Sequence, residues 1–169
     1  MNIKRILCLI LALATLTLLA STFVACDGAE NNSEGGSSNP FYVNYKDVKI
    51  ELDKKAEGVI DKLGEPKYSD NLGDCGGIGV QMKYTYADIT VNTLKEKDGE
   101  VIHKISFLND LVSTPKGITI GSSEADVREA YGNPTSEENG KLTYKSGDLE
   151  LEFSIKDGSV SAVNYRRIR

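Results

Sequence analysis

The most informative stretch for the fold is Gly117–Pro134, which reads GITIGSSEADVREAYGNP. Its later apolar residues recur with the three-to-four-residue spacing of a helix face: Val127, Ala130 and Tyr131. Ser123 followed by Asp126 imitates a capping box, which is a signal for a helix N-terminus. Gly132 and the proline two residues later are signals for a helix end. The stretch therefore predicts a short helix over residues 123–131.

The same pattern occurs earlier in the chain. Val59–Pro66 superposes on residues 127–134 at an offset of 68 residues, and both copies end in Gly-x-Pro. The apolar positions of the first copy again have helical spacing: Ala56, Val59, Ile60 and Leu63. They predict a helix over residues 53–63, and Gly64 and Gly132 are expected to end the two helices in a left-handed conformation. Such self-similarity indicates an internal repeat.

Runs of alternating apolar residues follow each predicted helix and indicate β-strands. These runs lie within Val80–Tyr86, Ile89–Leu94, Val101–Phe107, Leu142–Tyr144, Leu149–Ile155 and Val160–Tyr165. Asp-Gly pairs at Asp98 and Asp157 favour tight hairpin turns. The sequence therefore predicts an α+β fold of two tandem repeats, each a short helix followed by a three-stranded antiparallel meander. The repeats span residues 41–112 and 116–169.

The two repeats are expected to form one cooperative body. A unit of this size buries only about 60% of the surface that its unfolded chain exposes, so it is marginally stable alone. The connection between the repeats is predicted at Leu111–Lys116, with an extended corner before Pro115.

These residues resemble a known family, the small outer-membrane lipoprotein A (SmpA/OmlA), or BamE-like, proteins. The resemblance lies in the order of Gly117–Pro134, then a strand that bears a tyrosine, then Asp-Gly-x-Val. The tandem arrangement is similar to the β-lactamase-inhibitor-protein-like (BLIP-like) fold. The resemblance covers about residues 41–169, and it implies a binding or assembly module without a reaction of its own.

The N-terminus has the plan of a secretory signal peptide. Two positive charges in Met1–Arg5 precede the twenty uncharged residues of Ile6–Ala25. The last residues, Phe23–Cys26, resemble the lipobox of bacterial lipoprotein precursors, which implies signal-peptide cleavage after residue 25 and an acyl (palmitate-type) modification of Cys26. The implied location is the cell membrane, with the chain lipid-anchored on its extracytoplasmic side. An uncleaved transmembrane anchor is the alternative, because twenty such residues can span a bilayer.

A polar segment separates this cysteine from the first repeat. Ala29 is the one apolar side chain in residues 27–40, which are otherwise rich in Asn, Ser, Gly and acids. Such a composition cannot offset the entropy lost on ordering. Residues 26–40 are therefore predicted to be a lipidated cysteine with a flexible tether of about 20 Å mean reach.

Charge and cysteine content exclude several classes of function. The net charge of −5 becomes −7 without the leader, since 18 Lys and Arg then face 25 Asp and Glu. An acidic chain of this kind is not typical of a nucleic-acid binder. Of the three cysteines, Cys75 alone would remain unmodified in the folded part, so neither an internal disulfide nor a cysteine-based zinc site is expected.

Catalysis has few candidate residues. Cys75 and His103 are the one plausible nucleophile and base, and no third group is placed to orient them. His103 is expected on a strand face as a structural imidazole. Asp70 and Asp74 lack the closing glutamate of a calcium loop. We therefore predict that the chain is not an enzyme and has no metal or cofactor; a lipid-anchored enzyme that uses Cys75 is the alternative.

Tyrosines are the candidate partner-binding residues. Tyr84, Tyr86 and Tyr144 fall in predicted strands, and tyrosine gives a large contact area at low entropic cost. Core filling is the alternative interpretation for each of them. The basic C-terminus from Arg166 onward is expected to be a solvated tail.

The sequence as a whole predicts a membrane-anchored extracytoplasmic lipoprotein. Its expected role is that of a non-catalytic protein- or peptide-binding, or envelope-assembly, module with an unidentified protein partner. A structural spacer at the cell surface is a further alternative.

Overall fold

The computed structural model describes residues 39–168 apart from positions 75, 76 and 78. The predicted leader, Cys26 and most of the tether lie outside the described residues, as does Cys75. Ten strands and two helices follow one another along the described chain: β1 (Tyr42–Tyr45), β2 (Val48–Glu51), α1 (Glu57–Leu63), β3 (Tyr68–Asp74), β4 (Val80–Thr85), β5 (Ile89–Glu96), β6 (Gly99–Phe107), α2 (Glu124–Tyr131), β7 (Ser136–Glu138), β8 (Lys141–Ser146), β9 (Leu149–Lys156) and β10 (Ser159–Arg167).

Two antiparallel sheets contain these strands. β1 and β2 form a hairpin. The other eight strands form a single sheet in the order β3-β4-β5-β6-β10-β9-β8-β7. The predicted fold class, two α+β repeats of a helix and a three-stranded meander, is wrong. The described chain is mostly β, and its helices have only seven and eight residues.

The sequence did not predict the strands of the β1–β2 hairpin, and in the large sheet it did not predict the two edge strands. β3 reads YSDNLGD and its side chains are almost all exposed, and β7 reads SEE. Neither has an apolar alternation, because an edge strand can be held by main-chain hydrogen bonds to one neighbour without burying a face. β3 pairs with β4 and β7 pairs with β8.

The centre of the sheet is the short antiparallel pairing of β6 with β10, which joins Ser106, Ile105 and Lys104 to Asn164, Tyr165 and Arg166. The remainder of β6 pairs with residues 53–56, which lie just before α1. The Asp53 N–H donates to the Ile102 carbonyl at 2.8 Å, and the Ile102 N–H donates to the Lys54 carbonyl at 2.9 Å. This pairing takes the residues that were predicted as the first helical turn, so α1 begins at Glu57.

A β-bulge lies in each central strand. The register between β5 and β6 shifts at Asn92/Thr93, which leaves His103 as an extra residue in β6. The register between β10 and β9 shifts in the same way at Ser161. The first bulge breaks the strict alternation of β6 at His103.

The helix ends follow local sequence signals. The Asp126 N–H donates to Ser123 Oγ at 3.1 Å, and the Ser123 N–H donates to Asp126 Oδ2 at 2.9 Å, so the predicted capping box is confirmed. Gly64 and Gly132 follow the helices with φ of 74° and 76°. Their ψ values of −165° and −152° are extended rather than left-handed helical, a combination that glycine alone adopts readily.

One face of the large sheet is covered by both helices and the β1–β2 hairpin. The Tyr131 ring of α2 lies 5.3 Å from the rings of Tyr144 in β8 and Phe153 in β9. The hairpin buries Val43, Ile50 and Leu52 in the same hydrophobic core. Neither helix of the described residues is long and apolar enough to cross a membrane.

Candidate functional site

The face of the sheet opposite the helices and the hairpin, here called the open face, carries a row of charged residues. Successive Cα partners place one residue from each of seven adjacent strands in this charged row: Asp70, Lys83, Asn92, Lys104, Arg166, Glu150 and Lys145. The neighbouring residues in six of these strands pack in or against the hydrophobic core: Tyr84, Val91, Ile105, Tyr165, Leu151 and Tyr144. Because strand side chains alternate, the charged row points away from the core.

A second row runs beside the first. This hydroxyl row crosses all eight strands and consists of Tyr68, Thr85, Thr90, Ser106, Asn164, Glu152, Thr143 and Ser136. Ser106 Oγ donates to Asn164 Oδ1 at 2.8 Å across the β6–β10 pairing. Neither row contains an aliphatic side chain, and Tyr68 is their one aromatic residue. The two rows therefore carry hydrogen-bonding groups and charges.

Two glutamates lie beneath the basic side chains of the open face. Glu150 and Glu152 are only 2% and 6% exposed. Arg166 donates from Nε and Nη2 to Glu150 Oε1 at 2.8 and 2.5 Å. Lys141 Nζ donates to Glu152 Oε1 at 3.0 Å, and Lys145 Nζ lies 3.7 Å from Glu150 Oε2. The three basic side chains are 42–48% exposed, so they are accessible to solvent, and the buried carboxylates restrain their positions.

These side chains surround a polar cavity of about 250 Å³ over β7, β8, β9 and β10. Besides the two buried glutamates and the exposed Glu138, its lining consists of Ser136, Asn139, Lys141, Thr143, Lys145 and Arg166. The cavity offers both hydroxyl donors and cations. Three basic and three acidic side chains line it, so it is suited to a polar group rather than to an apolar one.

Two further cations of the charged row are unpaired. Within the part of the chain that the structure describes, Lys83 and Lys104 make neither an ion pair nor a side-chain hydrogen bond. Both side chains are partly exposed. They extend the basic surface from the cavity across the centre of the sheet.

Most of the helical charge on the covered side is acidic. The two helices carry five acids: Glu57, Asp61, Glu124, Asp126 and Glu129. Against these stand two bases, Lys62 and Arg128, and Arg128 is bound to Glu124 and Glu137 at 2.7 and 2.8 Å. The two helices are thus predominantly acidic, like the chain as a whole.

The three candidate tyrosines do not lie on the open face. Tyr86 and Tyr144 are buried in the hydrophobic core, and Tyr84 is half-buried against it. The Tyr144 hydroxyl donates to the Gly132 carbonyl at 3.1 Å, which ties β8 to the end of α2. Tyr86 and Tyr144 therefore fill the core, and of the three tyrosines only Tyr84 has appreciable accessible surface.

The hydroxyl of Tyr86 provides a test of this placement. It is buried and has no hydrogen-bond partner among the described residues, and burial raises the pKa of the side chain. We expect Tyr86→Phe to leave the free energy of unfolding unchanged or to raise it by up to about 1 kcal/mol, because an unpaired buried hydroxyl is costly. Tyr144→Phe is the matched control and should lose about 1 kcal/mol with its hydrogen bond.

Urea unfolding of the two variants measures this difference. If Tyr86→Phe lost as much stability as Tyr144→Phe, the Tyr86 hydroxyl would have a hydrogen-bond partner, which would contradict this placement.

The residues considered for chemistry are dispersed or undescribed. His103 lies partly buried at the bulge of β6, and Cys75 lies outside the described residues. Among the described residues, no group of three or more His, Cys, Asp or Glu side chains is placed to hold a metal ion. The absence of catalytic residues, metals and cofactors stays a prediction.

The basic C-terminus is part of the sheet, so the expectation of a solvated tail was wrong for Arg166 and Arg167. Arg167 binds Glu96 at 2.7 Å and also pairs with Asp53. Sequence reasoning missed the basic residues of the charged row, although one signal marks them. Each lies directly beside a core residue in a strand, as in Lys83-Tyr84, Lys104-Ile105, Tyr144-Lys145 and Tyr165-Arg166.

Comparison with known proteins gives few relatives. No protein-family model and no curated protein matches the chain. Among solved structures, an extracellular protein containing a SCP domain from Bacillus anthracis str. Ames is similar at 13% identity and a TM-score of 0.43; the match covers 69% of this chain and 44% of that one. A DUF4309 family protein (YjgB) from Bacillus subtilis subsp. subtilis str. 168 is similar at 17% identity and a TM-score of 0.41, over 68% and 78% of the two chains. The chain thus spans less than half of the first of these proteins, and likenesses at this level carry no conclusion about fold or function.

Proposed function

We propose that this chain is a membrane-anchored extracytoplasmic lipoprotein that acts as a non-catalytic binding module through its open face. The lipobox-like Phe23–Cys26 supports the anchor. The observation that carries the binding role is the open face itself, the side of the eight-stranded sheet on which two polar rows lie next to each other.

The arrangement of Glu150 and Glu152 supports binding over a purely structural role. Burying a carboxylate costs free energy unless it is paired, and both glutamates are nearly inaccessible. Their pairing restrains Arg166 and Lys141 on the face. Restrained side chains lose less conformational entropy when a partner binds, so the face is preorganised.

The anchor is tested by replacing its acceptor. We expect Cys26→Ala to abolish metabolic labelling with a fatty acid and to move the chain from the detergent phase to the aqueous phase, because acyl chains supply the membrane affinity. Cys75→Ala is the control and should leave both unchanged. A wild-type chain that takes up no label would contradict the anchor.

The binding role is tested by crosslinking in cells. A photoreactive amino acid at Asn92 samples the open face, and one at Glu129 samples the exposed surface of α2. We expect adducts from position 92, lost when Lys104→Glu is added, and none from position 129. Adducts from position 129 alone would place the working surface on the helices, and adducts from neither position would favour the structural spacer.

A further inference from the structure

We propose that the open face binds a linear, phosphate-bearing polyanion that lies across the strands along the charged row. This inference rests on the proposed binding role and names the chemistry of the partner. Its basis is the linear arrangement of four cations and the row of hydrogen-bonding side chains beside them.

The cations form a line rather than a cluster. Lys83, Lys104, Arg166 and Lys145 lie on β4, β6, β10 and β8, the first and last separated by five strand-to-strand steps. At about 4.8 Å per step the row is about 24 Å long. A ligand that neutralises all four cations must therefore be extended and carry charge along its length.

The charges of the row are available to such a ligand. Lys83 and Lys104 are unpaired within the described residues, and Lys145 lies at the outer distance for an ion pair. Glu150 occupies Nε and Nη2 of Arg166, which leaves Nη1 for a ligand. Glu150 itself is buried, so the one acid of the row that a ligand meets is Asp70 at its β3 end.

The composition of the face disfavours a folded protein as the partner. The centres of protein–protein interfaces are enriched in aromatic residues and methionine, which supply most of the binding energy. The charged and hydroxyl rows hold one aromatic residue, Tyr68, at the edge of the sheet. Binding to this face must instead come from charge and hydrogen bonds.

The hydroxyl row favours phosphate among anionic groups. It lies two residues along each strand from the charged row, a separation of about 7 Å. A phosphate has oxygens on several sides, so it can accept from a lysine in one row and from the Asn164 amide or the Ser136 hydroxyl in the other. A planar carboxylate has two oxygens on one side and satisfies one row at a time.

A membrane surface is a poorer occupant of the same face. Peripheral binding to lipids combines basic residues with apolar side chains that enter the bilayer, and the two rows offer no aliphatic group.

The test measures binding of fluorescent inorganic polyphosphate, in chains longer than the row, to the purified full chain in mild detergent. Binding should weaken as salt concentration rises. For four phosphate contacts, a plot of the logarithm of the association constant against the logarithm of salt concentration should have a slope of about −3. Removing two cations in Lys83→Ala/Lys104→Ala should lower affinity at least tenfold and reduce the slope by about 1.4. The matched control is Lys54→Ala/Lys62→Ala, which changes net charge equally away from the open face and should lose less than threefold.

Several results would overturn the proposal. Equal losses of polyphosphate affinity in the two double variants would mean that the chain attracts polyphosphate by its overall charge and not through the charged row. Equal affinity for poly-L-glutamate would contradict the assignment to phosphate, and binding to anionic vesicles without binding to polyphosphate would assign the face to a membrane. Absence of polyphosphate binding at low salt, with position-92 adducts still formed in cells, would refute this inference and leave the proposed function standing.

Discussion

Replacing Tyr165 by alanine should lower the free energy of unfolding by about 3–5 kcal/mol, which is the cost of emptying a large aromatic site in a core. Tyr165 is fully buried, and its ring lies 6.1 Å from that of Phe107. Its Cα partners are Ile105 in β6 and Leu151 in β9, so it lies where the two halves of the sheet meet. We therefore expect one unfolding transition, with the loss shared by both halves.

Urea unfolding combined with amide hydrogen exchange measures this effect. Protection should fall equally in β5 and β9, which lie on opposite sides of the β6–β10 pairing. Leu111→Ala is the control, because Leu111 is 79% exposed and its truncation should stay within about 0.5 kcal/mol. Two separate transitions, or loss of protection confined to β9, would show that the halves unfold independently.

Arg166→Ala should lower the free energy of unfolding by about 2–3 kcal/mol at neutral pH. The arginine makes both close hydrogen bonds to Glu150, which is 2% exposed. Removing it leaves a buried carboxylate whose nearest remaining cation is Lys145, at 3.7 Å. Losses of this type reach about 3–5 kcal/mol for fully buried pairs, and the partial exposure of Arg166 reduces the expected cost.

A double-mutant cycle separates the pairing from other effects. Glu150→Gln removes the charge that Arg166 neutralises, so Glu150→Gln/Arg166→Ala should be more stable than Arg166→Ala alone. Lys145→Ala is the control for lost positive charge and should cost less than about 0.5 kcal/mol. Additive losses in the double variant would mean that the buried carboxylate does not depend on the arginine.

Local features of this fold could be predicted from the sequence because neighbouring residues determine them. Ser123 and Asp126 cap α2 through hydrogen bonds within one turn. Gly64 and Gly132 end the helices at positive φ for equally local reasons. The alternation of β9 correctly assigned Leu151 and Phe153 to the core.

The architecture could not be predicted in the same way because distant pairings determine it. β6 and β10 meet through only three residue pairs about sixty positions apart, and no local pattern indicates that contact. The edge strand β3 has no apolar face to recognise. Residues 53–56 looked helical, yet they pair with β6, since the main-chain groups of β6 need partners there.

The candidate site was missed for a related reason. Alternation along β9 turns Glu150 and Glu152 away from the core, but Arg166 and Lys141 cover them. Arg166 comes from the neighbouring strand β10, so the ion-pair network depends on a register that the sequence alone does not give.

The most direct test of the account is a map of the amides that polyphosphate perturbs in the isotope-labelled full chain. We expect the largest chemical-shift changes along the charged and hydroxyl rows in β4, β5, β6, β10 and β8. The amides of α1 and α2, on the covered side, should keep their shifts. Changes concentrated in the helices or in the β1–β2 hairpin would contradict the account, because they would place the binding surface on the other side of the sheet.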